Sequence, residues 1–500
     1  GYVWPQGRQL LFCLAVLAAV PVSSYTISNQ GATVAVTSSV PEARKLFEDG
    51  MQQYENEHLQ KALVSWRAAA RKDPSFALAH LFISEVTYDP AEQKGERQHA
   101  KSLARRASRG EQLLITWLAG TGEEQQVIAI VAMNDLLDKY PKDRRLLFLA
   151  GRWLRTQDQY ESAARLLERA VALDSNYAAA WNQLAFCYGY NADYPKAFAA
   201  MERYIRLLPK DPTPQNSYAE LLRMAGNFRG ALAHYQLALK IDPSFDLSQL
   251  GIADTYALLG DEATARYEYD KAIHMTHEIN NRIRYELQSA LTYLRERKNG
   301  KAVAALNSVA KQAHSFHLTV LEAESFRDMA LCERDQSASF KYLVNAETAL
   351  AGDIEAPTAE LHREQAQVLR IQAIREAAAG QESDSAQTLK RLELLVNEKR
   401  DTVMRHIYNG ATGSSLLAEK KYAQAIPYLE EDPGNPLSMQ ALILAYSQTG
   451  ANDRAHVLEL KLTELNVPTI EQALVVPDLR AKLVATKEKR GWFSKLAGRN

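Results

Sequence analysis

Small and large apolar residues recur every 34 positions through the middle of the chain, and five positions keep step over four consecutive units. Alanine marks the first of these positions, at Ala163, Ala197, Ala231 and Ala265. Twelve residues earlier the chain has the small residues Gly151, Ala185, Ala219 and Ala253, and nine residues earlier the large residues Leu154, Tyr188, Leu222 and Tyr256. Seven residues later come Ala170, Tyr204, Ala238 and Ala272, and twelve residues later Ser175, Pro209, Pro243 and His277. A fixed period of this length predicts a stack of repeated structural units.

Each position in the repeat has a physical reason. Two antiparallel helices approach closely only where one of them carries a small side chain, so the Gly/Ala positions predict tight helical hairpins. Proline after the second helix prevents that helix from continuing. One hairpin cannot bury its apolar face alone, so neighbouring hairpins must stack. The pattern predicts an all-α fold, and runs of β-branched residues bounded by turns are almost absent after residue 40.

With this repeat, residues 41–467 resemble the tetratricopeptide-repeat superfamily, and in particular its bacterial exported or membrane-tethered members. The segments that carry the resemblance are 217–222 (SYAELL), 242–245 (DPSF) and 468–474 (PTIEQAL). The resemblance implies a right-handed superhelical solenoid of antiparallel helical hairpins. It also implies a non-catalytic scaffold that binds other proteins.

Weaker units extend the array in both directions, and we expect about nine to eleven hairpins. Residues 77–143 are predicted to be helical but out of register with the repeat. The expected divisions are a signal peptide or membrane-anchor remnant at 1–24, a flexible lead-in at 25–40, divergent hairpins at 41–143, core repeats at 144–279, degenerate hairpins at 280–467 and a basic tail at 468–500.

The N-terminal region contains an apolar run of thirteen residues, 10–22, preceded by Arg8. Because a span of the bilayer takes about 20 residues, this run is too short to cross a membrane alone. Its length and the small residues that follow it are typical of a secretory signal peptide cleaved near Ser24. A remnant of a membrane anchor and a buried N-terminal helix are the alternatives. Either of the first two interpretations places the repeats outside the cytoplasm, in a periplasmic, secreted or membrane-tethered protein.

By the resemblance, the second, fifth, ninth, twelfth and thirteenth residues of each unit face the concave groove. The candidate groove residues are Arg145, Phe148, Arg152, Arg155, Asn182, Phe186, Tyr190, Asn216, Glu220, Arg223 and Asp254. Arginine binds carboxylates with two parallel hydrogen bonds, and asparagine can pair with an extended peptide backbone. The set therefore favours an acidic peptide or a C-terminal carboxylate as ligand. A solvated helix face is the alternative interpretation.

Composition and charge narrow the class of partner. The formal net charge is −1, with 59 basic and 60 acidic residues, which gives no bulk argument for binding nucleic acid. The basic stretch at 94–109 could contact anionic lipid or nucleic acid, but a solvated helix face is the favoured interpretation. The tail at 487–500 suggests contact with a membrane surface, and a frayed terminus is the equal alternative.

Other chemistries find little support in the sequence. Two histidine pairs, 274/277 and 314/317, have spacing suited to one helix face but lack further ligands for a metal. The segment 410–415 (GATGSS) lacks the lysine of a phosphate-binding loop. Cys187 and Cys332 are expected to be buried packing residues. We therefore expect no cofactor, no metal and no catalytic residue.

Together these features predict a non-enzymatic scaffold or adaptor that binds protein or peptide segments in the concave groove of the solenoid. The alternative is the extracytoplasmic sensory part of a membrane-bound regulator whose effector domain precedes residue 1.

Overall fold

A computed structural model describes residues 33–352 and 359–497 of the chain, with side chains as far as residue 485. These residues form 25 α-helices and no β-strand. The helices of the first half are α1 (Pro41–Glu55), α2 (Leu59–Lys72), α3 (Ala77–Val86), α4 (Pro90–Leu103), α5 (Arg109–Gly122), α6 (Gln126–Lys139), α7 (Arg144–Thr156), α8 (Tyr160–Leu173), α9 (Ala178–Tyr190), α10 (Tyr194–Leu207), α11 (Pro212–Met224) and α12 (Phe228–Ile241).

The second half continues the same alternation of paired helices. Its helices are α13 (Asp246–Leu259), α14 (Glu262–Met275), α15 (Ile279–Arg295), α16 (Asn299–Ser315), α17 (Thr319–Cys332), α18 (Gln336–Leu350), α19 (Ala359–Ala378), α20 (Glu382–Lys399), α21 (Thr402–Ala418), α22 (Tyr422–Glu430), α23 (Pro436–Gln448), α24 (Asn452–Thr463) and α25 (Ile470–Ala497). Consecutive helices pair into twelve hairpins, which stack along the chain, and α25 follows the last hairpin. The structure confirms the predicted all-α helical repeat.

Polar capping residues fix where many of these helices begin. Asp143 accepts hydrogen bonds from the backbone N–H groups of Arg145 and Leu146 at the start of α7. Ser108 and Glu111 form a reciprocal capping box at the start of α5. Such caps satisfy N–H groups that have no partner within the helix.

The turn inside a hairpin depends on one residue in the left-handed backbone conformation. In five consecutive hairpins this residue recurs at an interval of 34, at Glu124, Asp158, Ala192, Gly226 and Gly260. Glycine adopts this conformation without a steric penalty, whereas other residues are strained there. Because Glu124 lies in the same register, the hairpin of α5 and α6 belongs to the regular repeat.

The sequence pattern misses that hairpin because a large residue stands at the small position of the repeat and a small residue stands at the large position. Trp117 occupies the position where the other units have Gly or Ala, and Gly120 occupies the position where they have Leu or Tyr. A Cβ atom added at Gly120 would lie 3.2 Å from the Cβ atom of Ala129, so the close approach of the helices is kept one turn further along. Trp117 is buried in the core. The prediction that residues 77–143 are out of register is therefore wrong for this hairpin.

Residues 33–40 are extended and attached to the first hairpins, although the sequence predicts a flexible lead-in there. The backbone N–H of Val34 donates to Asp143 at 2.9 Å, and that of Thr37 donates to Glu111 at 2.7 Å. The hydroxyl of Ser38 donates to Asp73 at 2.5 Å. These bonds use carboxylates that sit at helix ends, so sequence composition alone gave no sign of them. The rest of the predicted lead-in and the segment 1–24 lie outside the described residues.

The start of α25 belongs to the core, although residues 468–500 are predicted to be a basic tail. Ile470, Ala473, Val475 and Val476 are buried, and Val476 packs with Met439 and Leu462 of the last hairpin. The basic and aromatic side chains of 487–500 lie outside the described side chains. Among the described residues, none of the helices combines the length and the apolar character needed to cross a bilayer.

Replacing Ala231 tests whether the helices of a hairpin need a small side chain where they approach closely. Its side chain is 0% exposed and packs with Ala219, Leu222 and Tyr235. Ala231→Leu should overfill this seam and lower the free energy of unfolding by about 1–3 kcal/mol, measured by chemical denaturation. Ala233→Leu is the matched control, because Ala233 lies exposed on the same helix. Equal stability of the two variants would show that the assigned register is wrong.

Candidate functional site

The candidate groove residues lie on the first helices of four hairpins, and two of the arginines are bound by the first hairpin of the same chain. Arg145 forms ion pairs with Glu55 and Glu48, each at 2.9 Å. Arg152 contacts the hydroxyl of Tyr54 and pairs with Glu57 at 3.3 Å. Both guanidinium groups are therefore paired internally.

The turn between α1 and α2 reaches further across the same face. Glu57 accepts a hydrogen bond from Gln183 on α9 at 2.9 Å. The imidazole of His58 lies 2.7 Å from the carboxylate of Asp211, the residue that caps α11. The first hairpin thus contacts three of the four helices that carry the candidate residues.

Arg223 and Asp254 form a buried pair between α11 and α13. The guanidinium Nη1 of Arg223 lies 3.4 Å from the Asp254 carboxylate and 3.2 Å from the hydroxyl of Tyr235. Tyr269 donates a hydrogen bond of 2.5 Å to the other oxygen of Asp254. Burial raises the pKa of Asp254, against the lowering effect of Arg223. Both side chains hold the stacked hairpins together and are closed to a ligand.

Three more candidate residues have structural roles. Phe148 is a core residue, and Asn182 is buried. Asn216 accepts a hydrogen bond from Ser248 at 2.9 Å. The pattern placed these residues on the correct helices but could not show their burial.

The candidates that remain accessible gather at the end of α9. Tyr190 is 40% exposed, and its ring stacks on that of Tyr160 with centroids 4.7 Å apart. Phe186 lies partly buried beside it, with centroids 6.3 Å apart. Arg155, which donates to Gln183 at 2.7 Å, lies over the Phe186 ring at 5.9 Å.

Charged side chains of both signs act on the aromatic ring of Tyr190. Burial raises the pKa of the Tyr190 hydroxyl, Glu220 raises it further and Arg155 lowers it, so both charged groups act on this ring. Glu220 is only partly buried. We name the side chains of Arg155, Tyr160, Phe186, Tyr190 and Glu220 the Tyr190 patch.

The C-terminal part of the chain, from α19 to α25, returns to contact earlier hairpins. His362 at the start of α19 contacts the carboxylate of Glu124, and Arg363 donates to the carbonyl of Thr156 at 3.3 Å. Asn466 reaches the carbonyl of Met224 at 3.4 Å, and Arg480 reaches that of Leu258 at 3.4 Å. These contacts join helix ends that are more than 200 residues apart in the chain.

A polar cavity of about 270 Å³ lies where α19 and α21 meet the early hairpins. Its lining includes Glu85, Arg97, Trp153 and Arg363. Burial raises the pKa of Glu85 to about 7, although Arg97 and Arg152 act to lower it. The cavity is thus part of the contact between the two ends of the array.

A buried ionic cluster connects α17, α19 and α25. Arg327 binds Glu364 at 2.6 Å and Asp328 at 3.2 Å, and Glu324 and Glu471 lie at 3.7 Å and 3.9 Å. Four carboxylates around one guanidinium leave an excess of negative charge. Burial raises the pKa of Glu364 to about 7, although Arg327 lowers it.

The glycine-rich segment, the two cysteines and the two histidine pairs have structural roles. Residues 410–415 lie inside α21, where a Cβ atom at Gly413 would lie 2.6 Å from Leu429. Cys187 and Cys332 are buried and unpaired, as predicted. His274 contacts the carbonyl of Asp270, and His314 contacts Glu322. Neither histidine pair gathers the ligands of a metal within the described residues; one other group, His80 with Glu96 and His99, does so.

Paired helices with a 34-residue period, close contact at small residues and a recurring left-handed turn define a helical repeat array, and this arrangement is similar to that of tetratricopeptide-repeat proteins. No family model matches it. Two curated proteins are similar to part of the chain. The general transcriptional corepressor trfA of Dictyostelium discoideum is 27% identical over 129 residues, which cover 25% of this chain and 9% of that protein. The BBSome complex member BBS4 of Xenopus tropicalis is 30% identical over 115 residues, which cover 23% of this chain and 22% of that protein.

Solved structures of other repeat proteins are similar in part. Yeast Tom70 aligns with 84% of this chain and 99% of its own, at 15% identity and a TM-score of 0.40. A tetratricopeptide repeat protein from Parabacteroides merdae covers 61% of this chain and 99% of its own, at 14% identity and a TM-score of 0.34.

The buried pair of Arg223 and Asp254 gives a test of its structural role. Arg223→Glu should lower the free energy of unfolding by about 3–5 kcal/mol, because it leaves Asp254 buried without its cation. Arg229→Glu on the next helix is the control, since Arg229 is exposed. Equal melting temperatures for the two variants would contradict a structural role for Arg223.

The ionic cluster predicts how stability depends on pH. A carboxyl whose pKa is raised on folding binds its proton more tightly in the native state, so stability falls as the pH rises from about 4.5 to about 7. The melting temperature should therefore decline less between pH 5 and pH 8 in Glu364→Gln than in the unmodified protein. Glu398→Gln, at an exposed site on α20, should keep the original decline. Parallel profiles for all three proteins would exclude Glu364 as the titrating group.

Proposed function

We propose that the protein is a non-enzymatic scaffold that binds a protein or peptide segment, with the Tyr190 patch as the contact surface. The observation that carries this proposal is the exposure of Tyr190 at a predicted groove position, while its neighbours on the same face are already paired. Tyrosine and arginine are enriched among the residues that dominate binding energy at protein interfaces.

The pairing of the arginines changes the kind of partner that we propose. Three of the four arginines on which the acidic-peptide hypothesis depends already hold carboxylates of the same chain. The Tyr190 patch instead offers two stacked rings, with cations and carboxylates acting on Tyr190. It fits a segment that carries an aromatic or apolar anchor and polar groups of both signs.

Two further points support a scaffold. One of the curated relatives is by name a member of a complex. The closure of the array by its own C-terminal hairpins holds the patch on rigid helices, which reduces the entropy lost on binding. The location outside the cytoplasm remains part of this proposal and rests on the apolar run at 10–22 alone. No contact of the described residues favours the sensory alternative.

The test is capture of a partner by purified bait, followed by a binding measurement with that partner. Tyr190→Ala should weaken binding by at least about 2 kcal/mol, because it removes the exposed ring at the centre of the patch. The measurement is isothermal titration calorimetry with the purified partner.

Tyr267→Ala is the matched control, because Tyr267 is 62% exposed on α14 and lies outside the patch. A partner that binds the two variants equally well would place its site elsewhere on the array. A bait that captures nothing above background in its unmodified form would count against the scaffold itself.

A further inference from the structure

His80, Glu96 and His99 lie together on the second hairpin, away from the Tyr190 patch. Their ligand atoms all lie within 4.8 Å of one another. His80 is on α3, and the other two lie three residues apart on α4, so they share one face of that helix. The imidazole rings of His80 and His99 are tilted by 35° to each other, with centroids 4.1 Å apart.

The hydrogen bonds of His80 determine which of its nitrogens faces the other ligands. Its Nε2 lies 3.0 Å from the carbonyl oxygen of Pro74, which only accepts, so Nε2 carries a proton. Its Nδ1 lies 2.5 Å from the carboxylate of Glu96. A lone pair on Nδ1 and a carboxylate oxygen would repel each other at this distance. A proton therefore lies between them in this geometry, and a metal ion could replace that proton only if the two atoms moved apart.

The surroundings match those of a metal-binding histidine. Such histidines usually donate their second N–H to a carbonyl or carboxylate, which fixes the orientation of the ring. The carboxylate of Asp73 also lies close enough for His80 to act on its pKa, which adds negative charge. Arg67, whose pKa is raised mainly by its hydrogen bond to Glu92 and also by Glu96, binds Glu92 at 2.5 Å.

We propose that His80, Glu96 and His99 bind a divalent transition-metal ion, with zinc as the representative ion. Two histidines and one glutamate form a known zinc ligand set, which leaves a fourth position for water or a group from a partner. Zinc–nitrogen distances near 2.1 Å require ligand atoms about 3.4 Å apart in a tetrahedral site. The Nδ1 atom of His80 and the carboxylate of Glu96, 2.5 Å apart, would have to separate, which the partly buried Glu96 side chain allows. The exposed His99 side chain would have to turn inward. The ion would tie α3 to α4.

The sequence gives only a weak signal of this group. Glu96-x-x-His99 has the spacing of two ligands on one helix, but His80 precedes it by 16 residues in another helix. The hairpin brings the three residues together. The histidine pairs at 274/277 and 314/317 have the same spacing, and the structure gives them no comparable third ligand within the described residues.

The experiment is a calorimetric titration of the full chain with Zn²⁺ after dialysis against a chelator. One ion should bind per chain, and His99→Ala and Glu96→Gln should each weaken that binding at least tenfold. Both residues are accessible enough for the variants to remain folded, which helicity by circular dichroism checks.

The double variant His274→Ala/His277→Ala is the matched control for surface histidines and should bind the ion like the unmodified protein. Co²⁺ in place of Zn²⁺ should give the visible spectrum of a four- or five-coordinate site, which His99→Ala should lose. Several weak sites, or a single site unaffected by His99→Ala, would overturn the proposal in favour of a proton shared by His80 and Glu96.

Discussion

Two helices can touch along a hairpin only where one of them has almost no side chain, and the rest of the array depends on this contact. At Gly151 an added Cβ atom would lie 2.6 Å from Cγ of Leu167, which leaves no space for it. The contact fixes the distance between the helices, and that distance fixes the size of the face presented to the next hairpin. A change at the contact must therefore affect the stacking of the neighbouring hairpins. The hairpin of α5 and α6 shows that the position of the close contact can shift along the helix. The close approach moves to Gly120, while the left-handed turn at Glu124 keeps its place.

The regular stacking of the hairpins also places polar side chains on one face, and these side chains need hydrogen-bond or ion-pair partners. The first helices of successive hairpins bring Arg145, Arg152 and Arg223 to one side, where water or carboxylates must neutralise them. Here the chain supplies the carboxylates from α1, from the α1–α2 turn and from α13. A buried or half-buried ion pair adds little net stability, because each charge loses its hydration. Its effect is on specificity, since the first hairpin must take one arrangement to pair both Arg145 and Arg152.

The middle of the fold could be predicted from the sequence because each unit carries its own evidence. Gly151 and Leu167 lie within one 34-residue period, so the sequence of a single unit contains both sides of their contact. The hairpin with Trp117 could not be recognised in this way, since its residue sizes are exchanged. The attachment of residues 33–40 was also hidden, because their partners Asp143 and Glu111 lie 109 and 74 residues away.

The candidate site was predictable in position but not in chemistry. A period predicts which residues share a face, and both Arg155 and Glu220 act on the pKa of Tyr190. The period does not show which of these residues pair with side chains elsewhere in the same chain. Arg152 meets Glu57 across 95 residues, and His58 meets Asp211 across 153 residues. Such contacts depend on how far the superhelix winds, which is a sum of small rotations that no single repeat contains.

The ion pairs between the arginines of α7 and the first hairpin also limit where a partner can bind. A segment that entered the face beside α7 would have to displace Glu55 and Glu57 from their arginines and replace both charges with its own. Breaking a paired charge without replacing it is strongly unfavourable. A segment that binds at the end of α9 breaks no ion pair, because Tyr190 and Phe186 offer ring surface that the chain leaves partly uncovered. If the array binds a partner as proposed, the edge of the face is therefore favoured over its centre as the place of contact.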